Sequence, residues 1–288
     1  MRSSARRITG GLAVLLSLAL LACGASNITS TASPAAPAPA TPPTARSVLT
    51  GAGVGERESA SMKVAAASDL RAAMTAHQAE IEGACNTKIT WVFGSSGQLT
   101  TQIVAGADFG LLLSADIQYP EDLDRRGLLV PNGIASYGVG RVVIATRPGL
   151  EPVASLRDLA RADIRKVAIA NPGHAPYGRA AKQALEAAGI YDAINDRLVL
   201  GENIRQTTDY VEQGNADAGI AALALVVNGS PATWTLIDSE LHRPLEQAGG
   251  VVKGTGAELT GRCILQFLLD PAGQAILRRY GFEEVPAR

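Results

Sequence analysis

The strongest constraint on this chain is a unit that occurs twice in succession between residues 63 and 102: a short apolar run, a serine, then an amphipathic helix. In the first copy Val64-Ala65-Ala66-Ala67 has the character of a small buried strand and breaks at Ser68. Leu70, Ala73, Met74, His77 and Ile81 then recur at helical spacing. In the second, Ile89, Trp91 and Phe93 alternate with Thr90 and Val92 as a strand, Gly94-Ser95-Ser96-Gly97 turns the chain, and Leu99, Ile103 and Val104 resume a helical period. Each copy delivers serine to a helix N-terminus. Such an end presents N–H groups without intrahelical acceptors and about half a positive charge. Two of them facing one point, with hydroxyls, would make an anion site that needs no Lys or Arg. The competing reading is that these serines only cap their helices, since Ser is a preferred N-cap.

The alternation continues downstream. Residues 109–113 read as a buried strand leading to Ser114-Ala115-Asp116, and a short helix over 121–126 ends at Gly127. Residues 141–146 are a strand, and Ser155-Leu156-Arg157-Asp158 is a capping-box pattern opening a short helix. Residues 166–170 are a strand, 171–176 a loop, and 177–188 an Ala-rich helix closed by Gly189. A helix over 204–213, a strand over 218–221 and two C-terminal helices over 258–269 and 271–280 complete the pattern. Strands alternating with helices imply parallel-type α/β sheets. Ligands in such sheets bind outside the carboxyl ends of the strands, which is where the serine turns lie.

At 288 residues, 47% hydrophobic and 18% charged, the chain can bury a substantial core. Its formal charge of -1 leaves no electrostatic footprint for nucleic acid. At 4% aromatic, it is poorly suited to a site built on stacking. At the N-terminus, Arg2, Arg6 and Arg7 precede an apolar run over 12–21 that stops at Ala22-Cys23. That run is too short for a permanent membrane helix and reads as a secretory signal peptide over 1–22. Residues 23–61 are mostly Ala, Pro, Ser, Thr and Gly, with little to bury, and read as a disordered tether. Cys85 and Cys263 either pair or remain two buried thiols, and sequence leaves that open.

Leu20-Leu21-Ala22-Cys23 resembles a bacterial lipobox, which implies an acylated Cys23, a membrane tether and a place in the cell envelope, periplasmic or on the outer face of the cytoplasmic membrane. From 62 to about 283 the chain resembles the periplasmic molybdate-binding proteins of ABC importers, ModA type, within the type II solute-binding fold. The carriers are Lys63-Val-Ala-Ala-Ala-Ser-Asp-Leu70, Phe93-Gly-Ser-Ser-Gly-Gln-Leu99, Gln102-Ile-Val-Ala-Gly-Ala107, Leu113-Ser-Ala-Asp116, the loop over 171–178, Asp217-Ala-Gly-Ile220 and Arg279-Tyr-Gly-Phe282. The resemblance implies two α/β lobes, each a mostly parallel sheet flanked by helices: lobe 1 from 62–144 plus 247–288, and lobe 2 from 145–246. It also implies a cleft that holds molybdate, or tungstate as its near-equivalent, by neutral donors, with the metal met only through its oxygens. By position, Ser68 and Ser96 would donate from the first lobe, and the backbone N–H groups of Tyr177 and Ile204 from the second. A tyrosine ligand of many members falls on Ala222, which has no donor, and the Tyr177 phenol is a candidate substitute. The resemblance further implies a monomer that serves an ABC permease, with no cofactor and no catalysis.

Asp69 follows Ser68 directly. A carboxylate in a first helical turn is favoured by the macrodipole and is expected to point away from the cleft; one turned into the site would instead accept the proton of hydrogen phosphate. Sulfate, phosphate or a small organic acid would also suit a cleft of this kind. A serine-dependent hydrolase is the rival of another class, but Gly-x-Ser-x-Gly around Ser96 would need Gly at Gln98. His77, His174 and His242 lack the spacing of zinc ligands.

Overall fold

The computed structural model describes residues 60–286; the expected signal peptide, Cys23 and nearly all of the tether lie outside the described residues. The repeated unit forms the heart of the first sheet. Strand β1 (Ala60–Ala67) pairs in parallel with β2 (Thr87–Gly94) on one side and with β3 (Leu111–Ser114) on the other. A parallel strand covered on both faces carries no polar alternation, and Val64, Ala65 and Ala66 are fully buried. The continuous apolar run of the sequence is the direct record of that position. Helices α1 (Arg71–Ala76), α2 (Gln78–Cys85), α3 (Ser96–Val104) and α4 (Gln118–Arg125) follow these strands. The single helix expected after Ser68 is a 3-10 turn, Ser68–Leu70, followed by α1 and α2, which meet at His77.

Two long strands complete the first sheet and carry the chain between lobes. β4 (Leu129–Gly140) is an edge strand, and β5 (Val142–Thr146) already belongs to the second sheet. The chain therefore crosses at Arg141, three residues before the expected boundary at 144/145. In the second sheet β6 (Val167–Ala170) pairs in parallel with β7 (Leu198–Gly201) and β8 (Ala218–Ala222), and β5 runs antiparallel to β8 and to β9 (Thr233–Leu236). Its helices are α5 (Pro176–Ala187), α6 (Tyr191–Ile194), α7 (Ile204–Glu212) and α8 (Leu223–Val226). The capping box at Ser155 opens the short 3-10 helix Leu156–Ala160. The return crossing enters β10 (Leu245–Val252), whose first residue pairs with Gly140, so lobe 1 resumes two residues earlier than expected. Helices α9 (Glu258–Leu269) and α10 (Pro271–Arg279) then close back on lobe 1.

Both sheets are mixed: β2-β1-β3-β10-β4 and β7-β6-β8-β5-β9. The three-strand parallel part of each is what strand–helix alternation dictates. The antiparallel neighbours include the crossing strands β4, β5 and β10, which arrive without an intervening crossover helix. Buried apolar residues form a core on each sheet. Cys85, at the end of α2, is disulfide-bonded to Cys263 on α9, with Cα atoms 5.8 Å apart, so the two cysteines pair.

Candidate functional site

Both serine turns end at one small cavity between the lobes. It is lined by Ala67, Ser68, Asp69, Gly94, Ser95, Ser96 and Ala115 from lobe 1 and by Ala175, Pro176, Tyr177 and Ile204 from lobe 2. The space open to the centre of a water-sized sphere is about 10 Å³, near what one water requires. A tetrahedral oxyanion is larger, so it would enter only with the lobes parted. No Lys, Arg or His is among the described residues that line the cavity.

Each serine reaches the cavity with its acceptor side already used. Ser96, the first residue of α3, has a hydroxyl that accepts the Ala115 N–H at 3.0 Å. Ser68, at the end of β1, accepts the Arg205 N–H from lobe 2 at 3.4 Å. A hydroxyl has one hydrogen to give, and in both cases a backbone donor occupies an oxygen lone pair, which leaves that hydrogen for an acceptor. The capping reading fits neither serine: neither the 3-10 turn at Ser68 nor α3 carries a side-chain cap hydrogen bond, and the extended N-cap of α3 is Ser95.

Lobe 2 contributes backbone. Tyr177 is the second residue of α5, behind Pro176, and Ile204 is the first of α7, so their N–H groups have no acceptor within the helix. Pro suits a first helical turn because its missing N–H would be unpaired there anyway. The first turn of α5 packs so closely on the end of β6 that a Cβ at Gly178 would collide with the Ala170 carbonyl. Asn203 caps α7, its side chain accepting the Gln206 N–H at 3.1 Å. Three helices of nine residues or more, α3, α5 and α7, thus start at the cavity. Their macrodipoles bring positive potential without a cation.

Asp69 does not turn away from the cleft, as its place in the first turn suggested. It is fully buried, lines the cavity and accepts two bonds at Oδ2: from the Tyr177 hydroxyl at 3.0 Å and from Gln247 Nε2 at 2.6 Å. Its Oδ1 has no partner among the described residues. Burial raises its pKa from 3.8 to about 6 against the lowering effect of these two bonds and of the Asp69 and Leu70 backbone N–H groups. The Tyr177 phenol is committed to this carboxylate and does not substitute for a missing donor. Tyr137 extends the network, its hydroxyl lying 3.3 Å from Gln247 Oε1 and 3.2 Å from the Ser114 carbonyl. Burial, and then the charge of Asp69, push both phenols well above their ordinary range. Ala222 sits elsewhere: it pairs with Val142 in the sheet, belongs to the lobe 2 core and does not line the cavity.

A family model for bacterial extracellular solute-binding proteins matches residues 62–283. The chain belongs to that family. It is of the ModA type: it is 32% identical to the molybdate-binding protein ModA of Rhodobacter capsulatus over 194 residues, 67% of this chain and 77% of that one. The solved structure of the Azotobacter vinelandii periplasmic molybdate-binding protein superposes with a TM-score of 0.73 at 27% identity, covering 78% of this chain and all of that one. A putative ABC transporter substrate-binding lipoprotein of Bacillus subtilis, YvgL, is 28% identical over 66% of this chain and 73% of its own length.

A rim of polar contacts, which sequence reasoning missed, joins the lobes of this solute-binding protein beside the cavity. The Ser95 hydroxyl lies 2.8 Å from His174 Nδ1, Gln98 donates to Glu202 at 2.8 Å, and Gly97 N–H donates to the His174 carbonyl at 3.0 Å. Arg179 pairs with Asp116 at 2.6 Å and donates to the Tyr119 hydroxyl at 2.8 Å. No local pattern announces such pairs, since their members lie 60 to 104 residues apart. Ser95, His174 and Glu202 superficially resemble a hydrolase triad. However, Gln98 Oε1, 3.1 Å from the Ser95 hydroxyl, competes with His174 Nδ1 for its hydrogen. Glu202 is exposed and 3.7 Å from His174 Nε2.

Proposed function

We propose that this chain is the extracytoplasmic receptor of an ABC importer and carries a tetrahedral oxyanion, molybdate or its near-equivalent tungstate, in the inter-lobe cavity. One observation carries the reading: two serine hydroxyls with hydrogens to give face two helix starts with free N–H groups, in a buried space without a cation. A buried dianion is tolerated only when it is fully hydrogen-bonded. Bonds to a charged group contribute roughly 1.5–3 kcal/mol each net of desolvation, so Ser68, Ser96, Tyr177 and Ile204 together favour the bound anion. These donors sit on opposite lobes, so binding and closure are one event. The names of the relatives support molybdate as the cargo. The protein is a monomer without a resident cofactor and without catalysis, anchored through an acylated Cys23 to the membrane that holds its permease. The lipoprotein relative supports that anchor.

Thermal unfolding with molybdate, tungstate, sulfate and phosphate added separately tests the reading. A ligand at about 100 times its dissociation constant adds roughly 2.7 kcal/mol to stability, seen as a raised midpoint. Stabilisation by molybdate and tungstate alone is the expected result. Stabilisation by sulfate, phosphate or a small organic acid instead keeps the receptor and changes its cargo, and hydrolysis of an activated ester that is lost in Ser96→Ala would make it an enzyme.

A further inference from the structure

Asp69 is an oddity in a cavity for dianions. An ionised carboxylate beside a doubly charged tetrahedron repels it, and in a space closed to water that repulsion is weakly screened. Yet Asp69 is fully buried on the cavity wall, next in sequence to Ser68. Its two oxygens are treated differently. Oδ2 is held by Tyr177 and Gln247, while Oδ1 is buried without a partner at hydrogen-bonding geometry, the backbone N–H groups of Asp69 and Leu70 being close enough to favour the ionised carboxyl. A buried oxygen left unpaired is costly unless something completes it.

We propose that Asp69 is a ligand-binding and selectivity residue: in the complex its carboxyl is neutral, and Oδ1–H donates a hydrogen bond to the bound oxyanion. Where the carboxyl is ionised in the free protein, above its midpoint, the proton comes from solvent when the anion enters, so the uptake is one proton per anion and the closed cavity holds one negative charge fewer. A neutral acid gives a donor, whereas an ionised one gives only acceptors. The inference rests on the oxyanion reading of the cavity.

The surroundings of Asp69 leave its protonation to the ligand. From α5 it faces Tyr177 and from β4 Tyr137, phenols held neutral by burial, and from β10 the uncharged Gln247. The arginines of the neighbouring helices α7 and α1 are engaged elsewhere. The Arg205 guanidinium of α7 is paired with Asp209 and Glu212, and Arg71 lies over the Phe93 ring at 4.6 Å. His174 is bonded to Ser95 and stands near Glu202. Helix α8, packed on the same turn, has the sequence Leu-Ala-Leu-Val and offers no charge. The burial that raises this carboxyl's pKa to about 6 brings it within reach of a small push from an incoming dianion.

The test is the affinity of the purified protein for sodium molybdate from about pH 5 to pH 8, with calorimetry in buffers of different ionisation enthalpy to count protons. The expected result is a proton uptake that rises from near zero below the carboxyl's own midpoint to one per anion above it, with an affinity that falls about tenfold per pH unit above that midpoint. Asp69→Asn, whose amide is a permanent donor, should bind with no such dependence and more tightly than the parent at the alkaline end. Tyr177→Phe removes a bond that favours the ionised form and should move the midpoint to higher pH, a shift that a merely structural role would not produce. A parent affinity flat with pH, or an Asp69→Asn protein that folds but loses molybdate, overturns the proposal. Failure of every oxyanion to bind at any pH would instead refute the reading of the cavity itself.

Discussion

The two lobes build their halves of the cavity from different atoms. Lobe 1 presents side chains, the hydroxyls of Ser68 and Ser96 and the carboxyl of Asp69; lobe 2 presents the backbone N–H groups at the starts of α5 and α7. A side-chain donor is written in the residue type and is lost with one substitution. A backbone donor depends on where a helix begins, so almost any residue can stand there. Lobe 1 therefore fixes the chemistry, and lobe 2 supplies a geometry that many sequences would share.

The sharpest way to break this comparison is to remove the lobe 1 hydroxyls. Ser68→Ala with Ser96→Ala deletes two charge-assisted bonds, a loss of roughly 3–6 kcal/mol in oxyanion binding at 1.5–3 each, measured by titration calorimetry with molybdate. The Ala115 N–H loses its acceptor at Ser96 and the Arg205 N–H its longer one at Ser68, so a modest fall in the thermal midpoint is expected, most of it from Ser96. Unchanged binding in the double variant would show that the serines are spectators.

The same asymmetry decides what could be read from the chain. The serine turns, the parallel strands β1, β3, β6 and β8 and the helices α5, α7, α9 and α10 were legible because each is a local pattern of apolar period and turn residue. Strands β4, β7, β9 and β10 were not anticipated. β10 reads Leu-Glu-Gln-Ala-Gly-Gly-Val-Val, with glycines that suit a strand poorly in isolation. A Cβ at Gly249 would approach the Leu265 side chain to 2.5 Å and push it aside, a constraint set by α9 and invisible locally. Asp69 was visible, but its environment was not: its partners lie 108 and 178 residues away, and the helix-dipole argument that turned it away from the cleft considers only its own turn. The Ser68 and Ser96 positions followed from residue type, whereas Tyr177 and Ile204 came through the family resemblance alone.

Asp69 sharpens the comparison through stability, since lobe 1's side-chain contribution includes a buried carboxyl. Its folded pKa is raised, from 3.8 to about 6, so the folded protein holds this proton more tightly than the unfolded chain does. The associated stability is present in full below pH 3.8 and is lost as pH rises through about 6. Ligand-free protein should thus lose on the order of 3 kcal/mol from this group between those limits. Asp69→Asn should abolish that slope and be more stable than the parent near pH 7, as chemical denaturation at a series of pH values would show. A parent and variant with parallel stability profiles would mean that the carboxyl titrates normally.

The smallest effect, and the most direct probe of lobe 2, is at Ile204. Most substitutions there leave the N–H untouched, so Ile204→Val should bind as the parent does. Proline is the exception. Ile204 is the first residue of α7, where proline is well accommodated, and Asn203 before it is extended at φ -155° and ψ 172°, the conformation that a following proline favours. Ile204→Pro therefore deletes one donor while sparing the helix. Because the Asn203 side chain caps Gln206, two residues beyond the substituted position, the cap also survives. The expected loss is one charge-assisted bond, roughly 1.5–3 kcal/mol of binding, with the unfolding midpoint of the ligand-free protein close to that of the parent. Equal affinity for Ile204→Pro and Ile204→Val would mean that α7 acts on the anion only through its dipole, and that the hydrogen-bonding burden rests on lobe 1 and Tyr177.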